Sequence, residues 1–154
     1  MTVALIIASV VLIIDQITKY LISSSMVLFE DIPVISGFFH ITYVQNTGMA
    51  WSMLSGQQLL LSLAAVIAIG VMLWVLIYRK PDFLTVLSIG FMMSGAAGNL
   101  IDRLLFNYVR DFLNFYIFGY DFPVFNVADM ALCIGVGLLI LDAFIEERKE
   151  KQTQ

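Results

Sequence analysis

Four long apolar stretches divide the chain: Val3 to Ile14, continuing with interruptions to about Ile22; Leu59 to Tyr78; Phe83 to Ile101; and Val124 to Ile145. Each can supply the roughly 20 residues that carry a helix across a bilayer. The pattern predicts an all-α membrane protein built as one domain over residues 1–154, with transmembrane helices at about 3–22, 58–78, 83–102 and 124–145. Residues 29–56 break the pattern. They contain Phe38-Phe39-His40-Ile41-Thr42-Tyr43-Val44-Gln45, rich in β-branched and aromatic residues and bounded by Gly37 and Gly48, which predicts a small β-sheet subdomain rather than a span. Residues 104–123 carry Phe106, Tyr108, Phe112, Phe115, Tyr116, Phe118, Tyr120 and Phe122, the composition of an aromatic-rich interfacial segment whose rings mostly anchor the chain at the bilayer surface. Residues 146–154 read as a solvated charged tail.

Composition rules out the alternatives to a membrane setting, because 60% hydrophobic and 13% charged residues do not make a water-soluble domain of this length. The first stretch lacks a basic n-region and a small-x-small cleavage site, and Asp15 and Lys19 lie within its extension, so it reads as a span rather than a removable signal. A net charge of −4 argues against a nucleic-acid partner. The single cysteine, Cys133, excludes an internal disulfide and is expected to be a buried, inert thiol.

Basic residues then orient the spans. Arg79 and Lys80 follow the second stretch, and Arg148, Lys149 and Lys151 follow the fourth, which puts both segments and both termini in the cytoplasm. Lys19, Arg103 and Arg110 fall on the outer side, yet Asp15, Asp102 and Asp111 lie close to them in sequence and weaken them as topology signals.

In this arrangement the unusual polar residues gather at the outer helix ends: Asp15 and Lys19, then Asn46, then Asn99, Asp102 and Arg103, then Asn126 and Asp129. Asp15 with Lys19, Asn99 with Arg103, and Asn126 with Asp129 are spaced to share helix faces. One polar pocket just below the outer surface accounts for all of them. Two aspartates, Asp111 and Asp129, stand on either side of an aromatic stretch, each read at the mouth of a membrane helix, where a mid-membrane carboxylate costs about 2.5–3.5 kcal/mol.

The chemistry open to this pocket is narrow. The one histidine, His40, lies in the strand segment and reads as a polar strand residue; no Cys/His/Asp cluster has metal-ligand spacing, so no metal and no cofactor are expected. There is no Gly-x-Ser-x-Gly elbow and no glycine-rich phosphate loop. Two carboxylates sharing a proton in a low-dielectric site can act together, one as base toward water and the other as acid toward a carbonyl oxygen. Four readings compete with this one. Asp111 and Asp129 could simply pair with Arg103 and Arg110; the charges could mark a small membrane transporter or proton pathway; the pocket could serve a non-catalytic lipid-binding protein; or Lys19 could pair with Ser23, Ser24 or Ser25 in a Ser-Lys protease.

Five blocks bring in a resemblance: Asp15-Gln16-Ile17-Thr18-Lys19, Gln45-Asn46-Thr47-Gly48-Met49-Ala50-Trp51, Gly95-Ala96-Ala97-Gly98-Asn99-Leu100-Ile101-Asp102-Arg103, Val109-Arg110-Asp111-Phe112 and Phe125-Asn126-Val127-Ala128-Asp129. In this order and spacing the chain resembles the lipoprotein signal peptidases, or signal peptidase II. The resemblance implies an aspartic endopeptidase in the bacterial cytoplasmic membrane, with its site facing outward, that cuts diacylglyceryl-modified prolipoproteins before the modified cysteine. It implies Asp111 and Asp129 as the catalytic dyad, Asn46, Gly48, Asn99, Arg103 and Asn126 as substrate-binding residues, and Asp15, Lys19 and Asp102 as supports. Membrane lipids and globomycin-type inhibitors are the other partners it implies. Two positions depart from the family pattern: Asn107 stands where glycine is usual before the catalytic strand, and Arg110 stands where an aliphatic residue is common. Arg110 either tunes the neighbouring Asp111, and with it the pH optimum, or faces lipid headgroups.

Overall fold

A computed structural model describes residues 1–49, 51 and 53–153; Ala50, Ser52 and Gln154 lie outside the described residues. Four helices and four strands follow in the order α1 (Thr2–Ser25), β1 (Asp31–Ile35), β2 (Phe39–Asn46), α2 (Gln58–Tyr78), α3 (Phe83–Phe106), β3 (Val109–Ile117), β4 (Tyr120–Asp121) and α4 (Val127–Thr153). All four helices are long and apolar enough to cross a bilayer. Their outward faces are apolar, with Ile6, Ile13, Ile67 and Val71 more than half exposed, as lipid-facing positions are.

Helix α3 is the hub and packs against each of the other three. Its small residues make this possible, since packing between helices in lipid depends on close backbone approach rather than on exclusion of water. A Cβ at Gly95 would collide with the Ala128 carbonyl and lie 2.6 Å from Leu132 Cγ; one at Gly98 would collide with Asp15 Oδ2. Ala4, Met72, Leu76, Ile89, Met93 and Ala96 form an apolar core beneath the polar end. Asp82 starts α3 by accepting a hydrogen bond from Thr85 N at 2.9 Å. The helix ends at Asn107, whose φ of 63° is left-handed and whose N–H donates to the Arg103 carbonyl at 3.0 Å. Glycine is the usual residue for such a C-cap, and asparagine is the side-chain-bearing residue that tolerates it best, so the departure at 107 preserves the turn.

The four strands form one antiparallel sheet in the order β1-β2-β3-β4. The expected strand pair in residues 29–56 is β1 with β2. The aromatic segment, read as interfacial anchoring, instead supplies β3 and β4. Aromatic residues are enriched both in strands and in membrane belts, so composition alone does not separate the two. Pairing decides it, because β3 satisfies the open edge of β2, and a lone two-stranded hairpin is only marginally stable. Phe112 is buried, and Phe115 stacks on Phe39 at 4.6 Å and on Phe125 at 5.7 Å. The register pairs Val44 with Asp111, Gln45 with Arg110 and Asn46 with Val109, beyond an irregularity between Ile41 and Val44. Asp111 therefore sits on a strand, not at a helix mouth.

One further junction positions the site. Phe112 N and Leu113 N both donate to the Phe125 carbonyl, at 3.0 and 2.8 Å, and Phe125 N donates to the Leu113 carbonyl at 3.1 Å. This fastens the start of α4 beside the middle of β3.

Candidate active site

The sequence Asn126-Val127-Ala128-Asp129 folds as a capping box. Asn126 precedes α4, its Oδ1 accepts from Asp129 N at 3.0 Å, and Asp129 Oδ2 accepts from Asn126 N at 3.1 Å. Asn126 is thus a cap rather than a member of the helix face on which its spacing placed it. The cap leaves Asp129 Oδ1 free to accept from Asn99 Nδ2 at 2.7 Å. Asn126 Nδ2 points the other way, donating to Asp111 Oδ1 at 2.6 Å and to Asn99 Oδ1 at 3.1 Å. Asn46 Nδ2 donates to the remaining Asp111 oxygen at 2.9 Å, while Asn46 Oδ1 accepts from Gly48 N at 2.8 Å. Two carboxylates from different elements are held by three asparagines.

Buried charges brace this set from behind. The Lys19 ammonium meets Asp15 Oδ2 and Asn99 Oδ1 at 3.0 Å each and forms a longer ion pair with Asp102 Oδ2 at 3.6 Å. Asp15 Oδ1 accepts from Ala128 N at 2.9 Å, satisfying another donor in the first turn of α4. Asp15, Lys19 and Asp102 are fully buried, where an ion pair stands only if its remaining hydrogen bonds are made.

Neither arginine pairs with either aspartate. Arg103 donates to the Gly48 carbonyl at 3.0 Å, and Arg110 binds Asp102, with Nη2 at 2.7 Å from Oδ1 and Nε at 3.2 Å from Oδ2. Arg110 neither neutralises Asp111 nor faces headgroups, because successive strand residues point to opposite sides and only Asp111 takes the cavity side. Gln16 and Ser23 join this cluster as acceptors for Arg110 at 3.3 Å each. Their place there was not legible in the sequence, since no spacing relates α1 to β3. Ser23, Ser24 and Ser25 all donate back to carbonyls of their own helix, and among the described residues no serine hydroxyl meets Lys19.

Burial, and after it the neighbouring charge of Asp129, push the Asp111 carboxyl up to about 7, against the opposing pull of the Asn46 and Asn126 amides. Asp111 and Asp129 border a cavity of about 840 Å³ between α2, α3 and α4. Its polar rim is Asn46, Gly48, Asn99 and Arg103, and its wall is Leu60, Leu61, Ala64 and Ala68 on one side and Met130 and Cys133 on the other. Cys133, expected to be buried, is exposed and lines this wall. An apolar run on α4 marks the helix as membrane-embedded without telling which of its faces meets the cavity. A smaller cavity of about 290 Å³ lies on the sheet side, and Asn46, Trp51 and Asp111 border both. His40, away from the site, donates from Nδ1 to Asp31 Oδ2 at 2.7 Å on the sheet surface.

Four membrane-length helices and two buried carboxylates beside one cavity fit the class of membrane enzymes. A family profile described as "Signal peptidase (SPase) II" matches residues 7–145. The lipoprotein signal peptidase of Syntrophus aciditrophicus (strain SB) is 44% identical over 153 residues, covering 96% of this chain and 94% of that protein. Two solved structures of a bacterial membrane enzyme, obtained by the in meso method at 2.3 and 1.9 Å resolution, are also similar. The first has a TM-score of 0.90 at 37% identity, over 98% of this chain and 92% of that one; the second has 0.85 at 38%, over 93% of each. The chain belongs to the signal peptidase II family, and it is a membrane protease.

Proposed function

We propose that this protein is an aspartic endopeptidase that removes the signal peptide from diacylglyceryl-modified prolipoproteins, cutting before the lipid-modified cysteine, with Asp111 and Asp129 as its catalytic dyad. The observation that carries the reading is the Asn126 bridge, which sets a strand carboxylate and a helix carboxylate on one cavity wall. With one proton between them, the ionised member takes a proton from water as it attacks the scissile carbonyl, and the protonated member donates to the carbonyl oxygen. A tetrahedral intermediate forms, and return of a proton to the leaving amine breaks the C–N bond. Asn46, Gly48, Asn99 and Arg103 hold the peptide backbone, while Asn126 keeps both carboxylates in place. The apolar wall suits a signal helix and acyl chains entering from the bilayer, and the sheet-side cavity suits the polar chain beyond the cut. In this reading the site faces the extracytoplasmic side of a bacterial inner membrane, and globomycin-type inhibitors would occupy the same cavity.

A transporter is disfavoured by the apolar core of Met72, Leu76, Ile89, Met93 and Ala96, which lies between the polar end and the Asp82, Thr85 and Asp142 cluster at the other end of α3. Purified protein should cleave a diacylglyceryl-modified lipobox peptide with or without a chelator, and Asp111→Asn or Asp129→Asn should each abolish cleavage while the protein stays folded. Near-normal turnover by either variant would overturn the dyad.

A further inference from the structure

We propose that Arg110 is a positioning residue for the dyad, holding the strand that carries Asp111 in place by clamping it to Asp102 of α3 and to α1. The inference rests on the dyad reading above. Arg110 is 6% exposed and adjacent in sequence to Asp111, but its side chain runs away from the cavity. Its backbone N–H and two guanidinium nitrogens converge on Asp102, at 2.9, 3.2 and 2.7 Å, and its other contacts reach Gln16 and Ser23 of α1. The guanidinium also lies over the Phe106 ring, 4.7 Å from its centroid. β3 is thereby tied to two transmembrane helices at the residue next to the carboxylate.

Asp102 carries the tie onward. The same Oδ2 that accepts from Arg110 faces Lys19 Nζ at 3.6 Å, Lys19 donates to Asn99 Oδ1, and Asn99 Nδ2 donates to Asp129. One continuous chain therefore links the strand of Asp111 to the carboxylate of Asp129 from behind the cavity. Charge gives a second reason. Arg110 and Lys19 balance Asp15 and Asp102 in a cluster whose members are all buried. Without Arg110, the single ammonium of Lys19 would have to serve two buried carboxylates. A lysine at 110 would keep the charge but not the planar two-point grip.

The test measures kcat and KM for a diacylglyceryl-modified peptide, together with amide hydrogen exchange over residues 109–112, in wild type, Arg110→Leu, Arg110→Lys and Asp102→Asn/Arg110→Leu. Removing a group that orients a reacting residue typically lowers activity about 10- to 100-fold. Arg110→Leu should lose about that much in kcat with KM within about threefold, and exchange at 109–112 should quicken while α2 is unchanged. Arg110→Lys should recover only part of the loss, and adding Asp102→Asn should cost little more, since it removes the buried carboxylate that has already lost its guanidinium partner. A kcat within about twofold of wild type in Arg110→Leu, or a loss confined to KM, would overturn the proposal. If Arg110→Leu does not fold, the same criteria apply to Arg110→Lys. Wild-type protein that cuts no modified peptide would defeat the proposed function instead, and the exchange measurement alone would then decide whether Arg110 holds the strand.

Discussion

Asn126 and Asp129 cap each other: each side chain accepts the other's backbone N–H, at 3.1 and 3.0 Å. The usual purpose of such a box is to start a helix, and here it also fixes the orientation of a carboxylate. Because Asn126 Nδ2 reaches Asp111 as well, the cap converts a local helix signal into the spacing between two elements.

Asn126→Ala should therefore do two kinds of damage. Loss of the cap should cost about 1 kcal/mol of stability, and loss of the bridge should reduce turnover by about 100-fold or more. Thermal unfolding and peptide cleavage measured on the same preparation separate the two effects. A variant destabilised by this amount but fully active would show that the bridge does not align the dyad.

The raised Asp111 carboxyl makes stability pH-dependent. In the unfolded chain it ionises near 3.8, whereas in the folded protein it holds its proton to about 7, so wild-type stability falls as pH rises through that interval. The loss is on the order of a few kcal/mol. Asp111→Asn removes the ionisable group, so its melting temperature should gain on wild type between pH 5 and pH 8. A constant difference across that range would mean that Asp111 ionises freely in the folded protein.

Two glycines separate packing from propensity. A Cβ at Gly98 would strike Asp15 Oδ2 and lie 3.1 Å from Ala128 Cβ, whereas one at Gly70 meets nothing within 4 Å. Gly98→Ala should destabilise by about 1–3 kcal/mol and lower activity, since it displaces the carboxylate that braces Lys19 and α4. Gly70→Ala should be neutral or stabilising by up to about 1 kcal/mol, as expected for an exposed mid-helix glycine. Comparable losses in both would point to helix-wide effects instead.

Acyl chains taken out of water already gain about 0.8 kcal/mol per methylene in the bilayer, so entering the protein adds little discrimination. If the substrate is the lipid-modified one proposed above, selection comes from depth and from the polar rim. A diacylglyceryl-modified peptide should be cut far faster than its unmodified counterpart in the same bilayer, and Arg103→Ala should impair that cleavage without changing insertion of the enzyme. Equal rates for the two peptides would remove the lipid from substrate recognition.

Sidedness has its own test. In a Cys133→Ala background, a cysteine at Glu150 should react with an impermeant thiol reagent only from the cytoplasm, and one at Gln57 only from outside, as the placement of Arg79, Lys80 and the basic tail requires. The opposite labelling would invert the protein.

The sequence by itself determined the four spans, because apolar runs of about 20 residues, four in a chain of 154, are too long and too many to bury in a small water-soluble core. It also determined the polar end, since charged residues such as Asp15 and Asp102 are too costly in lipid to occur without partners. The turn at Asn107 was likewise local, whereas Asn126, which its spacing placed on a helix face, proved to be the cap of α4. Partner choice was not local. Arg110 lies beside Asp111 in sequence yet binds Asp102, because strand alternation turns neighbouring side chains to opposite faces. Gln16 and Ser23 reach Arg110 only because α1 packs along α3, and the aromatic segment became strands only because β2 offered it an unpaired edge. Exposure of Cys133 followed from which face of α4 the cavity took. Local periodicity registers what a residue costs in its own helix or strand; which distant groups offset that cost depends on long-range packing, and so the tertiary structure alone decided it.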